Sequence, residues 1–254
     1  MRNPLLAILK TSIQTQGHLF PDLPAEASGL PTVTDDPCSG CGQCARACPT
    51  RAITLGQDAQ GMVVQLDRGR CLGCRECIEC CPTRTLAEDR STRTAVRTRE
   101  ACIIGNRPAP PATAPALPPI FRRSLHVREV STGDNAADLE VIASTNAQFD
   151  IARFGIHFVA SPRFADALLV TGPVGRGMRE ALHRCYDAMA EPRLVIAAGA
   201  GAISGGIHRG GYAEANGITD LPVAVYIPGD PPHPWSIIHG ILLAMDRGIT
   251  YVDR

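Results

Sequence analysis

Eleven cysteines stand in this 254-residue chain, and nine of them fall between Cys38 and Cys81. They are written CSGCGQCARACP and CLGCRECIECCP, and both runs fit Cys-x2-Cys-x2-Cys-x3-Cys-Pro. Three thiolates at that spacing wrap one face of an iron–sulfur cube. The fourth, before proline, lies too far along the turn and reaches the other cube. The pattern predicts an internal duplication holding two [4Fe–4S] clusters. Cluster one takes Cys38, Cys41, Cys44 and Cys81; cluster two takes Cys71, Cys74, Cys77 and Cys48. Pro49 and Pro82 stiffen the exits, and Gly40, Gly42 and Gly73 let backbone amides approach the sulfur, where hydrogen bonds raise the reduction potential.

The competing chemistry is two zinc sites from the same CxxC elements. No histidine lies in the array to favour it. Cys80 reads as a small packing residue beside a ligand, and Cys102 and Cys185 as ordinary thiols. Cubes of this type exchange single electrons, so the array reads as a wire with no substrate site of its own.

The rest of the composition narrows the class. Lysine plus arginine number 25 against 25 aspartate plus glutamate, with no basic run, so no nucleic-acid partner is expected. The apolar stretch PLLAIL is far too short to span a bilayer and has no cleavage-like site behind it, which points to the cytoplasm. The seven histidines are scattered, and His157 and His239 read as satisfied core or surface residues. No nucleophile–base arrangement is visible, so this chain is read as a non-catalytic subunit.

Four zones follow along the chain: a polar extension at 1–35, a two-cluster ferredoxin domain at 36–88, a Pro/Ala-rich linker at 89–120 and a second domain at 121–254. In the last zone FGIHFVA, ADALLVTG, RLVIAAG and VAVYIPG read as strands, and GMREALHRCYDAM and PPHPWSIIHGILLAMDR as helices. The expected fold is an α+β bacterial-type ferredoxin domain followed by a three-layer α/β domain with a mainly parallel sheet. VIAAGAGAISGG departs from a dinucleotide fingerprint, and TGPVGRGM reads as a tight turn into a helix.

Four segments carry a resemblance: RSLHVREVSTG, FDIARFGIHFVASPRFADALLVTGPV, EPRLVIAAGAGAISGG and YIPGDPPHPWSIIHGIL. They resemble the cluster-carrying small subunit shared by respiratory complex I and membrane-bound [NiFe] hydrogenases of the formate hydrogenlyase type, over Arg123 to about Arg247. The first half resembles the two-cluster ferredoxin subunit of the same complexes, so the chain reads as a fusion of the two. The small subunits hold a further [4Fe–4S] cluster on four cysteines, and this sequence departs at all four positions. Asp134 or a gap, Ala137, Gly201 in a GAGA turn and Asp230 in the PGDPP corner stand there. The resemblance therefore implies that the third cluster is absent, and Asp230 is expected to cap the helix after it. Arg153, Phe154, Gly155, Ser161, Pro162 and Arg163 match the family near its cluster and quinone cavity. The two arginines are expected to pack and pair against a large subunit. Glu140 matches the family's acidic residue after the second ligand, and its role here stays open.

The expected function is an electron-transfer subunit of a membrane-associated hydrogenase-like or complex I-like oxidoreductase. Its partners would be a large subunit, membrane subunits and a redox donor or acceptor protein. It would lie peripherally on the inner face of the cytoplasmic membrane. The alternatives are a stand-alone ferredoxin with a partner-recognition domain, or a non-catalytic scaffold or redox sensor.

Overall fold

The computed structural model describes residues 18–109, 112–133 and 136–247. The first half runs through strand β1 (Leu30–Val33), helix α1 (Gln43–Ala47), strands β2 (Ile53–Asp58) and β3 (Gly61–Asp67), helix α2 (Glu76–Glu79), and strands β4 (Leu86–Asp89) and β5 (Ile103–Gly105). β1 pairs antiparallel with β4, and β3 pairs antiparallel with β2 and β5. The duplication is visible in the backbone. Gly42 and Arg75 precede the two helices at φ 70° and 67°, and Arg51 and Arg84 follow the two Cys-Pro-Thr turns at φ 53° and 55°. Arginine holds a positive φ only where its surroundings dictate it. The cysteine loops are therefore specified by more than local preference.

The second half contains strand β6 (Leu125–Ser131), helix α3 (Ala137–Ala143), strands β7 (Ile156–Phe158) and β8 (Ala167–Thr171), helix α4 (Arg176–Asp187), strand β9 (Leu194–Ala198), helix α5 (Gly199–Ser204), strand β10 (Val223–Ile227) and helix α6 (Pro234–Ala244). The five strands form one sheet in the order β10-β9-β8-β6-β7, every pairing parallel. Alternate residues feed two layers. Leu169, Ile196 and Val225 meet Ile237, Ile238 and Ile241 of α6 on one face; Leu168, Val170 and Val195 meet Leu182 of α4 and Ile203 of α5 on the other. Burial on both faces is why these strands read as continuous apolar runs. Every residue of α6 except Leu243 is buried, whereas α4 buries only Leu182.

β6 is not among the four strands expected from apolar runs. Its sequence LHVREVS alternates, yet it occupies an interior place between β8 and β7. This is the point where strand order reverses, the usual ligand crevice of such sheets. Here backbone fills it. Gly172, at φ 80°, packs so close to Gly133 that a Cβ would lie 2.2 Å from the Gly133 carbonyl oxygen, and the Thr132 hydroxyl donates to the Thr171 carbonyl at 2.6 Å.

The flanking zones are more structured than composition implied. Residues 30–33 of the extension form β1, and Phe20 packs edge-on against Trp235 and His239 of α6, with ring centroids 6.0 and 5.3 Å away. In the 89–120 stretch, Val96 bridges antiparallel to Tyr226 on the outer edge of β10, and the Thr92 carbonyl accepts from the Ser236 hydroxyl. Arg99 grips Asp67 with two hydrogen bonds of 2.9 and 2.6 Å, and β5 then completes the ferredoxin sheet. The proline and alanine run follows only after these contacts.

His239 departs from the expectation of a satisfied histidine. It is 8% exposed, its Nδ1 is buried without a hydrogen-bond partner, and burial pushes its pKa from 6.5 down to about 4. The unfolded chain therefore takes up this proton first, so its contribution is complete above pH 6.5 and lost as pH falls towards 4. Urea unfolding followed by the fluorescence of Trp235, one turn away, should show stability at pH 5 lower than at pH 7 by about 2 kcal/mol. His239→Leu should flatten that slope.

Candidate iron–sulfur centres and the vacated corner

The eight predicted ligands divide between two small cavities. One is lined by Cys38, Cys41, Cys44 and Cys81, the other by Cys48, Cys71, Cys74 and Cys77. Each repeat thus sends its last cysteine into the other repeat's loop. α1 and α2 bring this about by packing together, with the buried Cys44 and Cys77 on their inner faces. Beneath them lie Ile53, Val64, Leu66 and Leu86.

The donor chemistry fits cubes. Each cavity offers four sulfurs and no imidazole. Burial pushes the Cys71 thiol up to about 11 and Cys77 to about 12, with the neighbouring Cys48 and Cys74 adding to it. Cys44 is raised mainly by burial and then by neighbours including Cys81 and Cys38. The protein alone does not make these thiolates; a cation must displace the protons. Backbone donors are already in place, with Gly40 N–H 3.4 Å from Cys38 Sγ, Gly73 N–H 3.4 Å from Cys71 Sγ and Ala52 N–H 3.2 Å from Cys48 Sγ. Gly40 and Gly73 reach this geometry at φ 71° and 70°.

The remaining thiols stand apart. Cys80 lines neither cavity, its Sγ lying 3.8 Å from the Cys77 carbonyl. Cys102 is buried, and its thiol is pushed up to about 12 mainly by that burial; Cys185 is half-buried.

Three of the four positions expected to be vacated ligand sites follow strands at the carboxyl end of the parallel sheet. Ala137 is the buried first residue of α3, after β6; Gly201 is buried in α5, after β9; Asp230 follows β10. Asp134 lies outside the described residues. The GAGA stretch is a helical turn rather than an open one, tied to the corner by an Ala200 N–H to Gly229 carbonyl bond of 2.8 Å. Asp230 is not the N-cap of α6. His233 is, its Nδ1 accepting from Trp235 N–H at 3.2 Å, because the prolines place the N-cap three residues beyond the aspartate.

A cavity of about 300 Å³ opens between the halves, with Leu72 and Gly73 of the second cysteine loop on one wall and Asp230 and His233 on another. Glu140 also lines it, and burial raises its carboxyl above the usual range. Arg153 stacks over Phe154 and near Trp235, at 4.8 and 6.0 Å from the ring centroids. Arg163 belongs to a short turn capped by the Ser161 hydroxyl. His157 is exposed beside His126. Sequence reasoning missed two features here: Thr50 and Thr83, whose hydroxyls approach Cys48 and Cys81, and the bridging segment at Val96. The repeated Cys-Pro-Thr-Arg was the available signal for the first.

These observations define an iron–sulfur electron carrier joined to a parallel α/β domain. The chain belongs to the NADH ubiquinone oxidoreductase 20 kDa subunit family, whose model matches residues 135–244, and it carries a 4Fe-4S dicluster domain over residues 37–85. It is 42% identical over 137 residues to an uncharacterized protein of Methanocaldococcus jannaschii, covering 53% of this chain and 93% of that one. It is 39% identical to a probable membrane-bound hydrogenase subunit of Pyrococcus furiosus, over 49% of this chain and 76% of that protein. An NADH-quinone oxidoreductase subunit of Rhizobium etli is 43% identical over 43% of this chain and 65% of its own length. A chain in a solved structure of an archaeal membrane-bound sulfane sulfur reductase matches 50% of this chain and 74% of its own at 32% identity, with a TM-score of 0.46. Among the described residues, no helix is long and apolar enough to cross a membrane.

Proposed function

We propose that this chain is the electron-transfer subunit of a membrane-associated oxidoreductase of the hydrogenase or complex I kind, in which the ferredoxin module and the docking module are one polypeptide. Its two [4Fe–4S] clusters supply one-electron transfer. Cys38, Cys41, Cys44 and Cys81 hold cluster one, and Cys71, Cys74, Cys77 and Cys48 hold cluster two. The observation that carries this reading is the sorting of eight cysteines into two four-sulfur cavities, one of them adjoining the α/β domain through Leu72 and Gly73.

The α/β domain serves as a dock without a cluster. Alanine and glycine offer no ligand at two of the vacated positions, and the single carboxylate of Asp230 cannot hold a cube. The partners are a large subunit and membrane subunits, with a separate redox protein delivering or removing electrons, and the chain lies peripherally on the inner face through them. Residues 36–88 and 121–254 are the two functional modules, and residues 89–120 join them.

The test is anaerobic purification of the tagged chain from its own membranes, with its neighbours identified by mass spectrometry. Co-purification of a large subunit with integral membrane chains supports the assignment; a monomer that is reduced and reoxidised alone leaves a stand-alone ferredoxin. Asp230→Cys should add no iron, with the content staying at about eight per chain, as two four-iron clusters require. A value near twelve would reinstate a third cluster.

A further inference from the structure

The ligand thiolate that each repeat lends to the other is approached by a threonine hydroxyl from its own turn. In Cys48-Pro49-Thr50-Arg51 the Thr50 Oγ1 lies 3.6 Å from Cys48 Sγ; in Cys81-Pro82-Thr83-Arg84 the Thr83 Oγ1 lies 3.8 Å from Cys81 Sγ. Both are within reach of a hydrogen bond to sulfur. The two turns share their unusual backbone, with the closing arginine at φ 53° and 55°. In a free thiol either atom could donate. An iron-bound thiolate has no proton, so once a cluster is held the hydroxyl must be the donor.

We infer that Thr50 and Thr83 are positioning donors that raise the reduction potentials of the two clusters separately, Thr50 acting through Cys48 on cluster two and Thr83 through Cys81 on cluster one. This rests on the crossed ligand sets proposed above. Reduction adds one electron to a cluster and increases the negative charge on its sulfurs. A donor to a ligand sulfur therefore stabilises the reduced form more than the oxidised form.

The two sites differ in what stands behind the hydroxyl. Thr83 Oγ1 is also 2.8 Å from the Oγ1 of Thr85, a residue only 1% exposed. With the Thr83 proton directed at Cys81, its oxygen accepts from Thr85, giving a chain of two hydroxyls in which the outer one polarises the inner. Backbone N–H groups reach both sulfurs, Ala52 donating to Cys48 at 3.2 Å and Leu86 among those donating to Cys81, so the second hydroxyl behind Thr83 is what sets the Cys81 site apart. The Thr85 side chain thus acts on cluster one at one remove, through the Thr83 hydroxyl, while its backbone N–H donates to Cys81 directly.

The test is a redox titration of the full chain followed by EPR, on Thr50→Val, Thr83→Val and Thr85→Val, with the serine variants at 50 and 83 as rescue. Each cluster is identified by the signal that Cys74→Ala or Cys41→Ala removes. Thr50→Val should lower the midpoint of cluster two alone and Thr83→Val that of cluster one alone, at unchanged iron content. Serine should restore both, and Thr85→Val should give a smaller shift confined to cluster one. Should a valine variant fail to load iron, the alanine variant at that position supplies the same readout. Midpoints unmoved in fully loaded variants at both positions overturn the inference. A shift confined to the opposite cluster overturns the crossed ligand sets beneath it.

Discussion

Replacing Cys81 with alanine is expected to abolish the same EPR signal as replacing Cys41, although a hairpin and a whole second cysteine loop separate them. Both line the cavity with Cys38 and Cys44. Cys48→Ala should likewise match Cys74→Ala, since those residues share the other cavity. Each variant should retain about four irons per chain of the original eight, because a cube that loses one of its four thiolates is not held. The measurement is iron and acid-labile sulfide on anaerobically purified protein, with low-temperature EPR after reduction. If Cys81→Ala instead matched Cys74→Ala, each repeat would hold its own cluster, and the pairing of α1 with α2 would have no role in metal binding.

Removing the iron should unfold the first half and leave the second standing. Among the described residues, the ferredoxin core groups just Ala52, Ile53, Val64, Leu66 and Leu86 as buried apolar residues besides Cys44 and Cys77. So small a core does not offset the ordering of its loops without metal. The emptied thiols would also be protonated in place, as burial dictates for Cys71 and Cys77. The α/β domain has a double core centred on Leu168, Leu169, Val195 and Ile196, all fully buried and none of them grouped with the cysteines. Hydrogen exchange after anaerobic chelation should therefore show protection lost across Ile53–Asp67 and kept across Ala167–Thr171 and Leu194–Ala198. Protection retained in β2 and β3 would mean that Arg99–Asp67 and the Val96–Tyr226 bridge hold the module up from outside.

The corner at the end of β10 is shaped by packing around the parallel sheet. The corner Pro228–Pro232 ends β10, and α5 abuts it through the Ala200 to Gly229 hydrogen bond. Both are consequences of sheet packing, which does not depend on ligand identity. Ala137 and Gly201 are both buried at this end of the sheet.

Much of the chemistry was legible from the chain alone. Metal ligation depends on residue type at short, fixed intervals, so the Cys-x2-Cys-x2-Cys-x3-Cys-Pro pattern by itself indicated two cubes and predicted crossed ligand sets for them. β8 and β9 were legible because burial on both faces leaves no polar alternation to confuse them. β6 was obscured for the converse reason: its His126, Arg128 and Glu129 interrupt the apolar run although it lies inside the sheet. Only the tertiary structure decided that residues 30–33 belong to the ferredoxin fold, that Val96 seals the edge of β10, and that His233 rather than Asp230 caps α6. It alone brought the Thr50 and Thr83 hydroxyls to Cys48 and Cys81. Each of these depends on which partner a group meets or how a turn orients it, and local sequence fixes a residue's preference but not its neighbour.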